Sequence, residues 1–166
     1  MSVTASSAIE IRPATRLDVP VLRRLRAQVQ ALHARLLPDF FRLEDGGGAL
    51  VLERDPWAAI LVACAGDASA EQIRGYIVVR VVDTPWDPSM TPRRRAHVEI
   101  IVVDEAHRRE GIGASLMNEA SRWARGRGAV EVVLTVWTDN REAERFYASL
   151  GYEPIARVLR RSTEGI

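Results

Sequence analysis

The stretch that most constrains the fold runs from His97 to Leu116. Its first part, Val98–Val103, is apolar and rich in β-branched residues, which predicts a buried central strand. A polar turn over 104–107 follows, and an amphipathic pattern that begins near residue 112 predicts a helix. The chain therefore contains a strand that leads through a short turn directly into a helix N-terminus.

The turn before this helix has the composition of an anion site. Gly111 and Gly113 allow the backbone to approach a bulky anion without an intervening Cβ atom. The free N–H groups of the turn and the positive end of the helix dipole favour negative charge. Arg108 and Arg109 add guanidinium donors whose geometry suits phosphate. The residues alone also fit a plain strand, tight turn and helix without a ligand.

Two nucleotide-binding motifs match this stretch poorly. The third glycine of a Rossmann fingerprint would fall at Leu116, and no nucleotide-type βαβαβ series surrounds it. A P-loop requires a G-K-[ST] ending, and the chain has no lysine at all. Both alternatives are therefore disfavoured.

Two signatures in this order resemble those of a known superfamily. Arg108-x-x-Gly111-x-Gly113 resembles the acyl-CoA pyrophosphate loop of the GNAT superfamily of N-acyltransferases. The run 140–152, Asn-x-x-Ala-x-x-Phe-Tyr-x-x-x-Gly-Tyr, resembles that superfamily's second signature. The resemblance covers about residues 9–160 and is sharp from 98 to 152. It implies an acyl-CoA-dependent N-acetyltransferase that moves an acetyl group from acetyl-CoA, its co-substrate, to a primary amine of a small molecule or peptide by direct attack in a ternary complex.

Composition limits the other classes of function. The 166 residues fit a single domain over 1–166, with residues 1–8 expected to be disordered. The net charge of +1 gives no general attraction to nucleic acid, and Arg93–Arg95 is interpreted as a solvated loop face. Because Cys64 is the only cysteine and neither a secretory signal nor a membrane span is visible, we expect a cytoplasmic protein without membrane association.

The pattern of elements predicts an α/β fold with a mixed central sheet of about six to seven strands and helices on both faces. A long helix is expected from an N-cap at Asp18 to near Pro38, a second at Ala49–Glu53, and a last one with a capping box at Asp139 and Glu142. The predicted strands are Ile9–Arg12, Ala58–Ala65, Arg74–Val82, Val98–Val103, Val130–Trp137 and Tyr152–Arg161, the second and third forming a hairpin.

The resemblance adds a cleft to this fold. In the GNAT superfamily, the strand before the pyrophosphate loop and the strand after its helix run parallel but splay apart, and acyl-CoA lies between them. The implied exposed edge here is Ile101–Val103. The residues that the resemblance implies for acetyl-CoA binding are Ile101, Val102, Val103, Arg108, Arg109, Gly111, Ile112, Gly113, Ala114, Asn140 and Tyr147.

Two side chains are the candidate catalytic groups. By resemblance, Tyr147 is the general acid that protonates the departing thiolate, with a packed core aromatic as the alternative. Glu99 is the candidate general base, with a solvent-facing or salt-bridged glutamate as the alternative, and His97 is a second candidate base on the same strand face. Asn140 is either a pantetheine contact or a helix-start residue. The histidines and the cysteine show no metal-ligand spacing, so no metal is expected.

The sequence leaves a second class of function open, namely a catalytically inactive acyl-CoA-binding regulatory module. A nucleic-acid-binding domain is a third alternative, but the sequence contains no motif of that class. A homodimer is expected because such assemblies are common among soluble proteins. The amine acceptor does not follow from the sequence.

Overall fold

The computed structural model describes residues 9–43, 55–66, 69–84, 89 and 91–163. These residues fall into two compact units, divided between Thr135 and Val136. The predicted helix at Ala49–Glu53 and the first eight residues lie outside the described residues. The strands are β1 Ile9–Pro13, β2 Ala58–Ala65, β3 Ile73–Thr84, β4 Arg93–Val103 and β5 Glu131–Leu134, and the helices are α1 Val19–Leu36, α2 Ile112–Arg125 and α3 Arg141–Ser149.

The first unit contains a mixed five-stranded sheet in the order β1-β2-β3-β4-β5. The first four strands pair antiparallel, which confirms the predicted β2–β3 hairpin, and β4 and β5 pair in parallel. A parallel pair needs a crossover connection, and α2 lies in the chain between β4 and β5. No helix of the described residues combines the length and the apolarity that a membrane span requires.

The helices of this unit cover opposite faces of the sheet, as predicted. On one face Leu22 and Leu25 of α1 pack into a buried cluster with Tyr76 of β3. The next residue toward the strand's start, Gly75, faces α2, because a Cβ built on it lies 3.4 Å from Ile112 Cγ2. Successive strand residues point to opposite faces, so α1 and α2 enclose the sheet between them.

The start of α1 is joined to β1 by a buried carboxylate. Asp18 occupies the predicted N-cap position, but its side chain makes no capping bond, and it accepts hydrogen bonds from Arg12 Nη1 at 2.8 Å and from Thr15 N at 2.7 Å. The hydrogen bond from Arg12 is the main cause that lowers the pKa of Asp18 to about 2. Asp18 therefore ties the helix to the sheet.

The sheet of the described residues has five strands, which corrects the prediction of six to seven. No strand forms over the predicted segment Tyr152–Arg161, where Ile155, Val158 and Leu159 are largely exposed. An apolar β-prone sequence becomes a strand only where a neighbouring backbone supplies a hydrogen-bonding partner. The predicted strand Val130–Trp137 likewise shortens to β5, because its ladder with β4 involves only four residues.

The arginine run lies in a strand, which corrects its interpretation as a loop face. β3 extends to Thr84, so β4 begins at Arg93 and includes all three arginines. Arg94 Nε pairs with Asp83 at 2.7 Å, and Arg95 Nε pairs with Glu131 at 2.5 Å. The carboxylates of neighbouring strands thus compensate these charges.

Candidate active site

One edge of β4 changes from paired to open along its length. The parallel ladder with β5 runs from Arg95 opposite Glu131 to Val98 opposite Leu134 and stops there. β4 continues to Val103, and beyond Val98 the described residues pair it with β3 alone. The open edge includes Ile101–Val103, where the resemblance implies it.

A β-bulge marks the point where this change occurs. Val79 of β3 is opposite Val98, whereas the next residue, Val78, is opposite Ile100. Glu99 is therefore the extra residue on β4. A bulge bends its strand and increases the local twist, which separates the strand from one of its neighbours. The bulge thus accounts for the end of pairing with β5.

The open half of β4 leads into the predicted anion-binding turn. Arg109 and Gly111 both adopt left-handed backbone conformations, with φ of 68° and 79°. α2 starts at Ile112, and its first backbone bond runs from Ser115 N to Gly111 O at 3.1 Å. The amides of Ile112–Ala114 precede any acceptor within the helix, so they point their N–H groups out of its N-terminus. This is the arrangement that attracts anions.

Gly111, at the end of this turn, has no packing neighbour among the described residues on the side where a Cβ atom would lie. A Cβ atom built on Gly111 meets no described atom within 4 Å, so packing does not explain the glycine there. Gly111 is needed for its positive φ, and the lack of a side chain leaves the neighbouring amides accessible. Arg108, 35% exposed, forms a loose ion pair with Glu105 at 3.6 Å and contributes positive charge beside the turn.

Glu99 is one member of an ion-pair chain on the sheet. Its Oε1 accepts a hydrogen bond from Arg80 Nε at 2.9 Å, and Arg80 Nη1 bonds Asp55 Oδ2 at 2.5 Å. Glu99 is 42% exposed, and its other oxygen carries no hydrogen bond from the described part of the chain. His97, the second candidate base, lies directly opposite Arg80 in the ladder. The sequence did not indicate Arg80 or Asp55, because 19 and 25 residues separate the bonded partners.

The second compact unit contains α3 with Asn140 and Tyr147. Asn140 is the N-cap of α3, since its Oδ1 accepts from Ala143 N at 3.1 Å. This corrects the predicted capping box at Asp139 and Glu142, because the helix begins one residue later than the pattern suggested. The side chain of Asn140 thus shapes the start of the helix.

Tyr147 lies within a small aromatic cluster of this unit. Its ring centroid is 5.2 Å from that of Phe146 and 5.9 Å from that of Tyr152, the second in an edge-on arrangement. Burial, with a smaller contribution from Tyr152, raises the pKa of Tyr147 to about 12. Tyr147 is therefore a protonated phenol throughout the neutral range.

Comparison with known proteins places this geometry in a family. The model of the acetyltransferase (GNAT) family matches residues 27–152, which is more than half of the chain. The chain is 38% identical to an uncharacterized N-acetyltransferase of Methanocaldococcus jannaschii, over 43% of this chain and 31% of that protein. It is 29% identical to aminoglycoside N(6')-acetyltransferase type 1 of Klebsiella aerogenes, over 61% of this chain and 63% of that protein. The matches thus span less than two thirds of these relatives' lengths.

Solved structures agree on the fold. A mutant of the BH1408 protein from Bacillus halodurans superposes with a TM-score of 0.83 at 26% identity, covering 92% of this chain and 98% of that one. An aminoglycoside acetyltransferase from an uncultured soil metagenomic sample, solved with sisomicin, has a TM-score of 0.63 at 18% identity, covering 93% of this chain and 94% of that one. The second likeness concerns the fold alone.

Proposed function

The chain belongs to the acetyltransferase (GNAT) family, and from that premise we propose that it transfers the acetyl group of acetyl-CoA to a primary amine of a small molecule or peptide. The observation that carries the proposal is the one-sided pairing of Ile100–Val103, which ends in the left-handed turn at Gly111. An open strand edge offers backbone N–H and C=O groups to an extended partner such as pantetheine. The amides at the start of α2 suit the pyrophosphate.

The proposed acetyl-CoA contacts follow the same path along the chain. Ile101–Val103 would pair with the pantetheine arm, and the turn from Arg108 to Ala114 would hold the pyrophosphate. Both arginines of this turn, Arg108 and Arg109, would balance the phosphate charge. Asn140 and Tyr147, in the second compact unit, complete the proposed set by family resemblance. No step of this scheme requires a metal ion.

Catalysis would depend first on holding the amine and the thioester in attack geometry. A backbone N–H of the open edge of β4 would stabilise the negative charge that develops on the thioester oxygen. Glu99 would remove the proton of the attacking amine, directly or through a water molecule, with the carboxylate oxygen that does not bond Arg80. His97 is the alternative base.

Tyr147 would interact with the leaving group, the thiolate of CoA. A thiol has a pKa of ~8.5, well below the value of about 12 for Tyr147. The phenol therefore would not give its proton completely to a free thiolate, but it would donate a hydrogen bond to the sulfur while charge develops there. We expect Tyr147→Phe to lower kcat by roughly 10- to 100-fold, the effect of losing one hydrogen bond to a developing charge. The aromatic ring remains, so acetyl-CoA affinity should be nearly unchanged.

The acceptor and the assembly are proposed at a coarser level. The acceptor is a primary amine, and aminoglycosides are the first class to assay because one curated relative is an aminoglycoside acetyltransferase. A homodimer in the cytoplasm is the proposed state, and sedimentation velocity of the purified protein tests the dimer.

Acetyl-CoA binding is the first test of the function. Calorimetric titration with acetyl-CoA and CoA compares the unchanged protein with Gly111→Glu and with Gly128→Glu. Both glycines have nearly the same φ, 79° and 80°, so both substitutions carry a similar backbone strain. Only the carboxylate at Gly111 would face the phosphates, whereas the one at Gly128 would lie beside Arg94.

We expect at least ~100-fold weaker binding for Gly111→Glu, since a like charge beside the turn opposes the pyrophosphate, and nearly unchanged binding for Gly128→Glu. No binding by the unchanged protein would contradict the proposal. A thiol-release assay over a panel of amines, with and without Tyr147→Phe, then separates an enzyme from an inactive binding module. A module would bind acetyl-CoA, but none of the amines would cause it to release CoA.

A further inference from the structure

A buried carboxylate lies where β4 ends and the proposed pyrophosphate turn begins. Asp104 directly follows β4, and it is only 8% exposed. On the side of the turn, its Oδ1 accepts from Ala106 N at 3.3 Å, which closes the first bend. Its own backbone N–H donates to Arg74 O at 2.7 Å, which holds this end of β4 against β3.

Two side chains of α1 reach the same carboxylate. Arg24 Nη1 donates to Asp104 Oδ2 at 3.0 Å, and Gln28 Nε2 donates to Asp104 Oδ1 at 3.3 Å. Gln28 also accepts, through Oε1, a hydrogen bond from Glu105 N at 3.1 Å. One turn of α1 thus bonds both the carboxylate and the backbone of the turn that follows β4.

These bonds cross a large distance in sequence. The partners are 76 to 80 residues apart, so neither helix propensity nor the turn sequence alone accounts for them. The turn also contains a non-glycine residue with φ of 68°, Arg109, a conformation that is unfavourable by itself. A strained backbone persists only when its surroundings hold it, and the bonds from α1 fix the start of the turn that contains this residue.

We propose that Asp104, together with Arg24 and Gln28, is a positioning device that holds the turn 105–111 in its anion-binding conformation and thereby sets the affinity for acetyl-CoA. The inference rests on the proposed function, because it assigns a cause to the affinity of the same turn. None of the three side chains needs to touch the ligand. Without them the turn samples other conformations, and the observed dissociation constant rises in inverse proportion to the fraction of molecules that remain competent.

The chain offers a matched control in Asp18. It is also a buried carboxylate that is ion-paired to an arginine and bonded to a backbone amide, but it ties α1 to β1 instead of to the turn. Asp18→Ala therefore weakens the attachment of α1 to β1 without removing a hydrogen bond to the turn that follows β4. The test variants are the double substitution Arg24→Met with Gln28→Leu, which keeps Asp104, and Asp104→Ala.

Three readouts separate positioning from general stability. They are the dissociation constant of acetyl-CoA by calorimetry, the thermal midpoint, and amide hydrogen exchange of residues 105–113 in the protein without ligand. We expect both test variants to raise the dissociation constant by ~10-fold, as when the competent fraction falls to about a tenth, and to accelerate exchange over 105–113. Asp18→Ala should lower the thermal midpoint while it leaves the dissociation constant within about twofold and the exchange of this turn unchanged.

The inference is overturned if both test variants bind acetyl-CoA like the unchanged protein, or if Asp18→Ala weakens binding as much as they do. Kinetics give an independent check, since a positioning role raises KM for acetyl-CoA more than it lowers kcat. If the unchanged protein binds no acetyl-CoA, the proposed function fails, and the exchange comparison still decides whether α1 holds the turn.

Discussion

The two halves of β4 show how one strand can serve both stability and ligand binding. The first half, Arg93–Val98, has β3 on one side and, from Arg95 onward, β5 on the other. The second half, Ile100–Val103, has β3 alone among the described residues. A strand with two neighbours satisfies its backbone within the fold, whereas one with a single neighbour leaves a row of groups for a partner. The bulge at Glu99 separates these two tasks.

The charges on the two halves differ in the same way. In the first half, arginines pair with Glu131 and Asp83 on adjacent strands. At the bulge, Glu99 gives one oxygen to Arg80 and keeps the other without a described partner. In the first half, the ion pairs neutralise the arginine charges and join neighbouring strands of the sheet. The bulge between the halves keeps a partly exposed carboxylate, that of Glu99, next to the open edge.

The largest predicted effect is on catalysis. It distinguishes the carboxylate at the bulge, Glu99, from Glu131, which pairs with the first half of β4. We expect Glu99→Gln to reduce kcat/KM by at least ~10²-fold, because the amide cannot accept the proton of the amine. Glu131→Gln is the matched control, since Glu131 also pairs with an arginine of the sheet, and it should leave kcat/KM within about threefold. Steady-state kinetics on the best amine of the panel measure both. Equal losses for the two variants, or no loss for Glu99→Gln, would refute the base role of Glu99.

A second prediction concerns how the open half is held. A Cβ on Gly75 would lie 2.6 Å from Val102 O, a backbone atom that cannot move aside cheaply. We expect Gly75→Ala to lower the free energy of unfolding by about 2 kcal/mol, the usual magnitude for overpacking, and to weaken acetyl-CoA binding by displacing the open edge.

Urea unfolding with Gly126→Ala as the control measures this effect. A Cβ on Gly126 would meet its nearest neighbour at 3.5 Å, and its φ of −60° suits alanine, so that variant should be as stable as the unchanged protein. If Gly75→Ala is as stable as the unchanged protein, β3 and β4 do not approach each other at Gly75 as closely as the structure indicates.

The smallest predicted effect is the response to acid at the two ends of β4. Burial by itself would raise the pKa of Asp104, but hydrogen bonds from Arg24, Ala106 and Gln28 outweigh it and lower the pKa. A carboxylate with a lowered pKa stabilises the folded state above its unfolded value of about 3.9, and the contribution is lost as the pH falls through the folded pKa. Stability should therefore fall less steeply below pH ~4 in Asp104→Asn.

Asp83 supplies the control for this measurement. Its hydrogen bond from Arg94 lowers its pKa, but it is exposed, and solvent screens exposed pairs. The Asp83→Asn variant should keep the acid dependence of the unchanged protein. Urea unfolding at a series of pH values between 5 and 2 compares the three proteins. A stability that falls less steeply with acid in Asp83→Asn than in Asp104→Asn would reverse the assignment.

Local pattern was a good guide wherever neighbouring residues decide the structure. The stripe Leu22, Leu25, Val29 predicted α1, the β-branched run before residue 104 predicted the end of β4, and the glycines at 111 and 113 predicted the turn and the start of α2. The pattern was less reliable at boundaries. It placed the cap of α3 one residue early. It also assigned Arg93–Arg95 to a loop, because the sequence does not show that carboxylates on adjacent strands pair with Arg94 and Arg95.

By itself, the sequence determined the order of the described elements as far as α3, the central strand, the glycine turn and the two signatures that indicate a GNAT acetyltransferase, since all of these depend on residues close together in the chain. Only the tertiary structure decided where pairing of β4 with β5 stops, that Glu99 is the bulge residue bonded to Arg80, and that Asp104 is held by α1. The physical reason is the same in each case. Strand partners, bulges and ion pairs join residues that are far apart in sequence, and the energy of such contacts depends on the geometry that the folded chain imposes.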